Sequence, residues 1–174
     1  ITKITLADEA YAAAAGKSLK LLGRSIARED GTICAYVEPH FVGNQDPLAG
    51  VEDVFNAIKV KGNAVGDVMF YGRGAGKLPT ASAVVADVIA AARQMDRAGY
   101  RPWQPNRPDA VFSPDELSSQ WYVRLASGEL AGEKLTVPNA EAGESGWITA
   151  AMTRPELDKI LAGRDVLAVI RVLD

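Results

Sequence analysis

One cysteine and one histidine in 174 residues leave little material for several kinds of chemistry. The lone thiol, Cys34, cannot build a disulfide framework, and a reducing cytoplasm is the expected compartment. Cys34 lies in an apolar strand pattern and reads as a buried, inert core residue. With His40 as the only histidine, no zinc site can be assembled. His40, beside Pro39 at an expected strand end, reads as structural or exposed rather than as a ligand. Ser25 and Ser82 have no histidine at a triad spacing, so nucleophilic catalysis has no support. Basic excess is also missing: 19 Lys+Arg stand against 22 Asp+Glu, a net charge of −3. That balance argues against a nucleic-acid partner, and Lys59 and Lys61 read as one solvent-facing alternation. No apolar run approaches the about 20 residues of a membrane span. Val84 to Ala92 comes nearest, but Asp87 interrupts it and Arg93 follows. No signal peptide is visible, and the chain opens at Ile1 without methionine, as a processed or excised fragment would.

What the chain does have is a glycine-rich stretch from Tyr71 to Asp87, Tyr-Gly-Arg-Gly-Ala-Gly-Lys-Leu-Pro-Thr-Ala-Ser-Ala-Val-Val-Ala-Asp. Gly72, Gly74 and Gly76 leave a strand-like segment and lead into an apolar-striped helix. Bare backbone at a helix N-terminus favours an anion or polar cofactor, since free N–H groups and the dipole point there. The spacing excludes the two common phosphate loops. A P-loop would need glycine where Tyr71 stands and Ser or Thr where Leu78 stands. A dinucleotide fingerprint would put its third glycine at Pro79 or Lys77. The loop is therefore one wall of a cofactor site at most. Lys77 and Asp87 read as solvated charges, and no residue stands out as catalytic.

Local rules mark the elements. Thr5 with Asp8 is a helix cap before Ala10 to Ala15, and Gly16 ends that helix. Leu19 to Ala27 and Ile33 to Val37 read as a hairpin across a two-residue Asp30-Gly31 turn, with Pro39 closing the second strand. Phe55 to Val60 and Val68 to Tyr71 pair around Gly62-Asn63. A helix over about Thr80 to Arg97 carries Val84, Val85, Val88, Ile89 and Ala92 on one stripe, expected to cover a sheet. Pro102, Pro105, Pro108 and Pro114 then crowd a connector, with Trp103 as an anchor. Gln120 to Ala126, Gly146 to Thr153 and Val166 to Leu173 read as strands, and Pro155 to Leu161 as a short helix. The expected class is α+β: an antiparallel or mixed sheet with helices on one face, followed by a small α+β unit. The expected partition is residues 1–98, a connector over 99–118, and a tail over 119–174.

The segment Gly-Arg-Gly-Ala-Gly-Lys-Leu-Pro-Thr-Ala-Ser-Ala-Val-Val-Ala-Asp resembles the Gly-x-Gly-Ala-Gly-x-x-Pro-Thr-Ala-x-Ala-Val-x-x-Asp run of homoserine dehydrogenases. Ile4-Thr5, Leu19-Lys20-Leu21-Leu22-Gly23, Val37-Glu38-Pro39, Asp46-Pro47-Leu48-Ala49 and Val54-Phe55-Asn56-Ala57-Ile58 resemble the same family in order and spacing, over about residues 1–97. The resemblance implies part of a cytoplasmic oxidoreductase that interconverts L-aspartate 4-semialdehyde and L-homoserine with NADP or NAD, serving threonine, isoleucine and methionine synthesis. It implies that Gly74 approaches the nicotinamide cofactor, with Gly72, Ala75 and Gly76 shaping the same wall and Thr80 contributing at the helix mouth. For Thr80, a plain N-cap is an equal reading. The family's dinucleotide domain and its acid-and-lysine motif have no counterpart here, so the resemblance implies a C-terminal portion, inactive alone. Gln120-Trp121-Tyr122-Val123-Arg124-Leu125 and Val169-Ile170-Arg171-Val172 resemble the first and last strands of a reduced ACT-like domain. The usual Asp-x-Pro-Gly turn and its helix have no counterpart, which leaves a structural or dimerising role open beside effector binding. A homodimer is expected. The alternative reading is a non-catalytic regulatory or oligomerisation module; a self-sufficient small enzyme is disfavoured by the single histidine and the incomplete loop.

Overall fold

A computed structural model describes residues 4–95, 107–138 and 141–173. Helix α1 (Leu6–Ala14) begins as its cap dictates. The Thr5 N–H and hydroxyl both donate to Asp8 Oδ2, at 2.8 and 3.1 Å, and Gly16 ends the helix at φ +64°. Strands β1 (Lys17–Ala27) and β2 (Ile33–Gly43) then pair along their whole length. Their connection is longer than the expected two residues. The Asp30 carboxylate accepts from the Thr32 N–H and hydroxyl at 2.8 and 2.7 Å, and Gly31 takes φ +78°. Strand β2 also runs past Pro39, which was expected to close it. A proline removes only one donor from a strand, and the second neighbour of β2 begins at His40.

Strands β3 (Phe55–Gly62) and β4 (Gly66–Arg73) form a separate two-stranded hairpin, followed by α2 (Lys77–Gln94). The remaining elements are β5 (Trp121–Leu125), β6 (Glu133–Leu135), β7 (Ser145–Ile148), α3 (Arg154–Leu161) and β8 (Val166–Val172). The main sheet has six strands in the order β1-β2-β8-β5-β7-β6. All its pairings are antiparallel except β2 with β8, which run parallel. The chain divides by compactness into Ile1–Ala49 with Asn106–Asp174, and Gly50–Pro105. This differs from the linear partition at 98 and 119, because the first hairpin joins the tail strands in one sheet. The first part of the proline-rich connector, 99–106 with Trp103, lies outside the described residues. Its described end includes a short 3-10 turn at Pro114–Glu116, capped by Ser113.

The class is α+β, as expected, but the helices do not share one face. All five residues of β5 are buried, so this central strand needs cover on both sides. On one face Tyr122, Phe41, Ile148, Ile170 and Val172 pack with Tyr11 and Ala12 of α1. The Phe41 and Tyr122 rings stack there with centroids 4.4 Å apart. On the other, Trp121, Val123, Leu125 and Trp147 pack with Leu157 and Leu161 of α3. Helix α2 was expected to cover a sheet, yet none of its residues is buried; Val88 keeps 62% of its surface exposed.

A buried ionic cluster fastens α1 to the sheet. Arg124 of β5 donates through Nε to Asp8 Oδ1 at 2.9 Å and through Nη1 to Glu144 at 3.1 Å. Its Nη2 reaches the Thr5 hydroxyl at 3.0 Å, and the Tyr122 hydroxyl donates to Asp8 at 3.1 Å. Burial pulls the Arg124 guanidinium down, but Asp8 and then Glu144 outweigh it and hold the group above its usual value. Burial, followed by Glu144, raises the Tyr11 phenol. Removing Asp8 leaves Arg124 paired with Glu144 but takes away the buried acceptor of Arg124 Nε, the Tyr122 hydroxyl and the Thr5 cap. Asp8→Ala should therefore cost about 3–5 kcal/mol in urea unfolding, since several buried donors lose one shared partner. A loss under about 1 kcal/mol, the range of exposed pairs, would show that water replaces Asp8.

Candidate functional site

The glycine segment lies at the junction of β4 and α2, and its three glycines do different work. Gly72 is inside β4, opposite Asn56 of β3, and a Cβ there would meet open space. Gly74 lies just past the strand. Its N–H and that of Ala75 donate to the Val54 carbonyl at 3.2 and 3.4 Å, which folds the loop back on the entry to β3. A Cβ on Gly74 would collide with the Asn56 side chain amide. The missing side chain at Gly74 thus makes room for a neighbour within the chain. Gly76 is the N-cap of α2, at φ +112° and ψ 158°, a backbone region that essentially only glycine occupies.

Helix α2 starts at Lys77, ahead of the expected Thr80. The Thr80 N–H donates to the Gly76 carbonyl at 3.2 Å, so Thr80 is inside the first turn and is not the cap. No side chain caps this helix end, and its first turn carries no acid. Its leading N–H groups and dipole therefore suit an anionic group. Gly72, Gly74, Ala75, Gly76 and Thr80 form one continuous, exposed strand–loop–helix junction. Of the expected wall, Gly74 and Ala75 have their N–H groups engaged at Val54, which leaves the head of α2 as the part that fits a phosphate or similar group. The base of the loop is stiffened by Phe55 stacked on Tyr71, centroids 4.9 Å apart, and by Arg73 over Phe55.

Asn56 is the residue that sequence reasoning left without a role, although it stood in the Asn-Ala-Ile run. Lys77 and Asp87 lie on α2, while Cys34 and His40 lie on β2. Cys34 is fully buried, as expected. His40 is also fully buried and structural in setting. Among the described residues no group of three His, Cys, Asp or Glu side chains is placed to hold a metal. Nor is any helix among them long and apolar enough to cross a membrane.

The family model for homoserine dehydrogenase matches residues 1–89, which include the whole junction and α2 as far as Ile89. This chain belongs to the homoserine dehydrogenase family. A homoserine dehydrogenase from Neisseria gonorrhoeae is 34% identical over 170 residues, covering 93% of this chain and 39% of that protein. One from Mycobacterium bovis is 46% identical over 137 residues, 76% of this chain and 31% of that protein. The chain thus spans about two-fifths or less of these curated relatives. A crystal structure of a homoserine dehydrogenase from Thiobacillus denitrificans matches all of this chain with TM-score 0.80 at 27% identity, over 46% of its own length. One from Staphylococcus aureus matches 98% with TM-score 0.68 at 31% identity.

The three glycines should separate on substitution. Gly76→Ala should destabilise the hairpin–helix unit by about 1–3 kcal/mol, because its backbone is glycine-only. Gly72→Ala should fall within about 0.5 kcal/mol of wild type. Gly74→Ala should displace Asn56 at a smaller cost than Gly76→Ala, and adding Asn56→Ala should abolish that cost. Urea unfolding of the four variants checks the order; equal losses at Gly72 and Gly76 would contradict these local geometries.

Proposed function

We propose that this chain is the C-terminal part of an enzyme that interconverts L-homoserine and L-aspartate 4-semialdehyde with NADP or NAD. The carrying observation is the family match across residues 1–89, which takes in the glycine junction at the head of α2. In this reading the chain supplies placement rather than reactive groups. Gly74, with Gly72, Ala75 and Gly76, forms a wall of the cofactor site, Thr80 stands in the first turn of α2, and the uncapped helix end faces a polar or anionic part of the cofactor. Gly74 holds the wall in shape through Asn56. The cofactor itself supplies the hydride acceptor. The dinucleotide domain and the acids and lysine that bind substrate belong to sequence outside these 174 residues. The parent is a cytoplasmic homodimer in the threonine, isoleucine and methionine routes, and the exposed stripe of α2 supports a covering surface from elsewhere.

The tail is a reduced ACT-like unit in the same reading. Its strands run β8-β5-β7-β6 in space, an order consistent with a split β-α-β-β-α-β plan whose first helix is lost. Residues 126–132 stand where that helix would be, and Leu130 fills the core beside Leu157. This supports a structural role, with the tail sheet completed by the β1–β2 hairpin.

A chimera tests the assignment. Residues 1–174 should replace the aligned segment of the Neisseria gonorrhoeae relative and retain homoserine-dependent reduction of NADP or NAD. The purified chain alone should show none above background. A folded chimera that binds NADPH yet cannot oxidise homoserine would overturn the reading and favour a non-catalytic module. Turnover by the chain alone would overturn the division of labour.

A further inference from the structure

The β1–β2 hairpin joins the tail strands through a narrow seam. Parallel pairing of β2 with β8 covers only His40 opposite Arg171 and Phe41 opposite Val172, extended by a bond from the Leu173 N–H to the Phe41 carbonyl at 2.9 Å. Both residues of the first pair carry side chains that ordinarily favour water, and both are buried.

Arg171 is fully provided for. Its Nη1 donates to the Ser119 hydroxyl at 2.9 Å and the Leu117 carbonyl at 3.4 Å. Nη2 reaches the Pro114 carbonyl at 3.2 Å, and Nε reaches the Glu38 carboxylate at 3.4 Å. The guanidinium also lies 4.2 Å from the centre of the Trp121 ring. His40 is provided for on one side only. Its Nδ1 is 2.9 Å from the Glu38 carbonyl, which can only accept, so Nδ1 carries the proton and Nε2 is bare. Among the described residues, Nε2 is the buried side-chain nitrogen or oxygen that has no hydrogen-bond partner.

A proton arriving at Nε2 would meet a poor setting. From β1, Lys20 stands opposite His40 and Arg24 opposite Tyr36, with Arg24 Nη1 donating to the Tyr36 hydroxyl at 3.1 Å. From β2, the Tyr36 ring stacks on the imidazole with centroids 5.9 Å apart. From β8 comes Arg171. The Pro114–Ser119 segment turns its carbonyls and the Ser119 hydroxyl to Arg171, while Glu116 pairs outward with Arg28. Glu38 is the one acid beside the imidazole in this set, and Arg171 already engages it. We propose that His40 is an acid-sensitive latch on the β2–β8 seam, and that protonation at Nε2 releases the β1–β2 hairpin from the tail strands.

The direction follows from the cluster. Burial first, then the Arg24 and Arg171 charges, hold the His40 imidazole below its usual value, against the pull of the Glu38 carbonyl and carboxylate. The unfolded chain therefore takes up this proton first as pH falls. Stability from the neutral imidazole is complete above the unfolded value of about 6.5 and is lost as pH falls toward the lower folded value. Each unit within that window lowers the folded-to-unfolded ratio by up to about tenfold.

Because His40 is the only histidine, the ring signals of the labelled full chain are unambiguous. The nitrogen shifts should report the Nδ1–H tautomer at neutral pH and an acid-shifted titration. Protection of the Leu173 amide against exchange should fall about tenfold or more over the His40 titration. The Val172 amide, which bonds across to Gln120 rather than to β2, should hold its protection longer. His40→Asn keeps a donor near the Nδ1 position and cannot take the proton, so Leu173 protection should become insensitive to pH; His40→Phe, which keeps the ring, should behave likewise. An Nε2–H tautomer, a Leu173 protection that does not track the wild-type ring titration, or the same acid loss in either variant would overturn the latch.

Discussion

A guanidinium in the middle of a fully buried strand has to be neutralised, and the N-terminal part of the larger unit is arranged around that need. Arg124 cannot reach solvent from β5 because neighbours pair on both sides and helices cover both faces. Asp8 meets the demand while also capping α1, so the same carboxylate starts the helix and docks it. Glu144 supplies the second charge, and Tyr122 and Thr5 occupy remaining valences. Desolvating such a cluster offsets much of its Coulomb attraction. Its contribution is better described as selecting where α1 binds than as raw stability. The aromatic contacts of Tyr11, Tyr122 and Phe41 then add apolar burial at a location the charges have chosen.

Features decided within a few residues were legible in the sequence. The Thr5–Asp8 cap, the Gly16 stop, the two hairpins and the start of α3 all depend on local hydrogen bonds or backbone preferences. Pairings between distant segments were not legible. Nothing in Ile33 to Gly43 announces a parallel neighbour near residue 171, and the three residues of β6 are too few to show a period. Arg124 and Arg171 sit at inward positions of apolar strands, and that was the available signal for buried charge. A strand pattern alone does not say whether such an arginine faces solvent at an edge or a carboxylate inside. Helix placement failed for the same reason: the 3.6-residue stripe of α2 specifies which side is apolar, not what will cover it.

The glycine junction shows how one spacing can hold several constraints. Alternation of Gly72, Gly74 and Gly76 suggested a single bare surface for a ligand. In the fold, Gly72 is open, Gly74 makes space for Asn56, and Gly76 permits a helix entry no other residue tolerates well. Gly76 is also the position that leaves the head of α2 without a side-chain cap. The family pattern is thus in part a record of internal fit. A glycine in a family motif can be held by a neighbouring side chain, as Gly74 is by Asn56.

The two compact units differ in how far they satisfy themselves. The larger closes its core with α1 and α3 on opposite faces of β5, leaving Tyr122, Val123 and Leu125 without exposure. The smaller does not close. Ile58, Phe70 and Tyr71 of its hairpin and Val84, Val85, Val88 and Ile89 of α2 keep about half or more of their surface. Scattered apolar residues on a surface need no account, but a helix with no buried residue and an ordered apolar stripe does. A stripe with helical period is selected by something it packs against. The chain spans two-fifths or less of its curated relatives, so sequence that could supply the opposing surface exists in the same family. The proposed function gives the exposed stripe and the uncapped head of α2 one common account. Under the proposed function both would be ends of interactions completed from outside these residues, which is how an element that carries a cofactor wall would look when seen by itself.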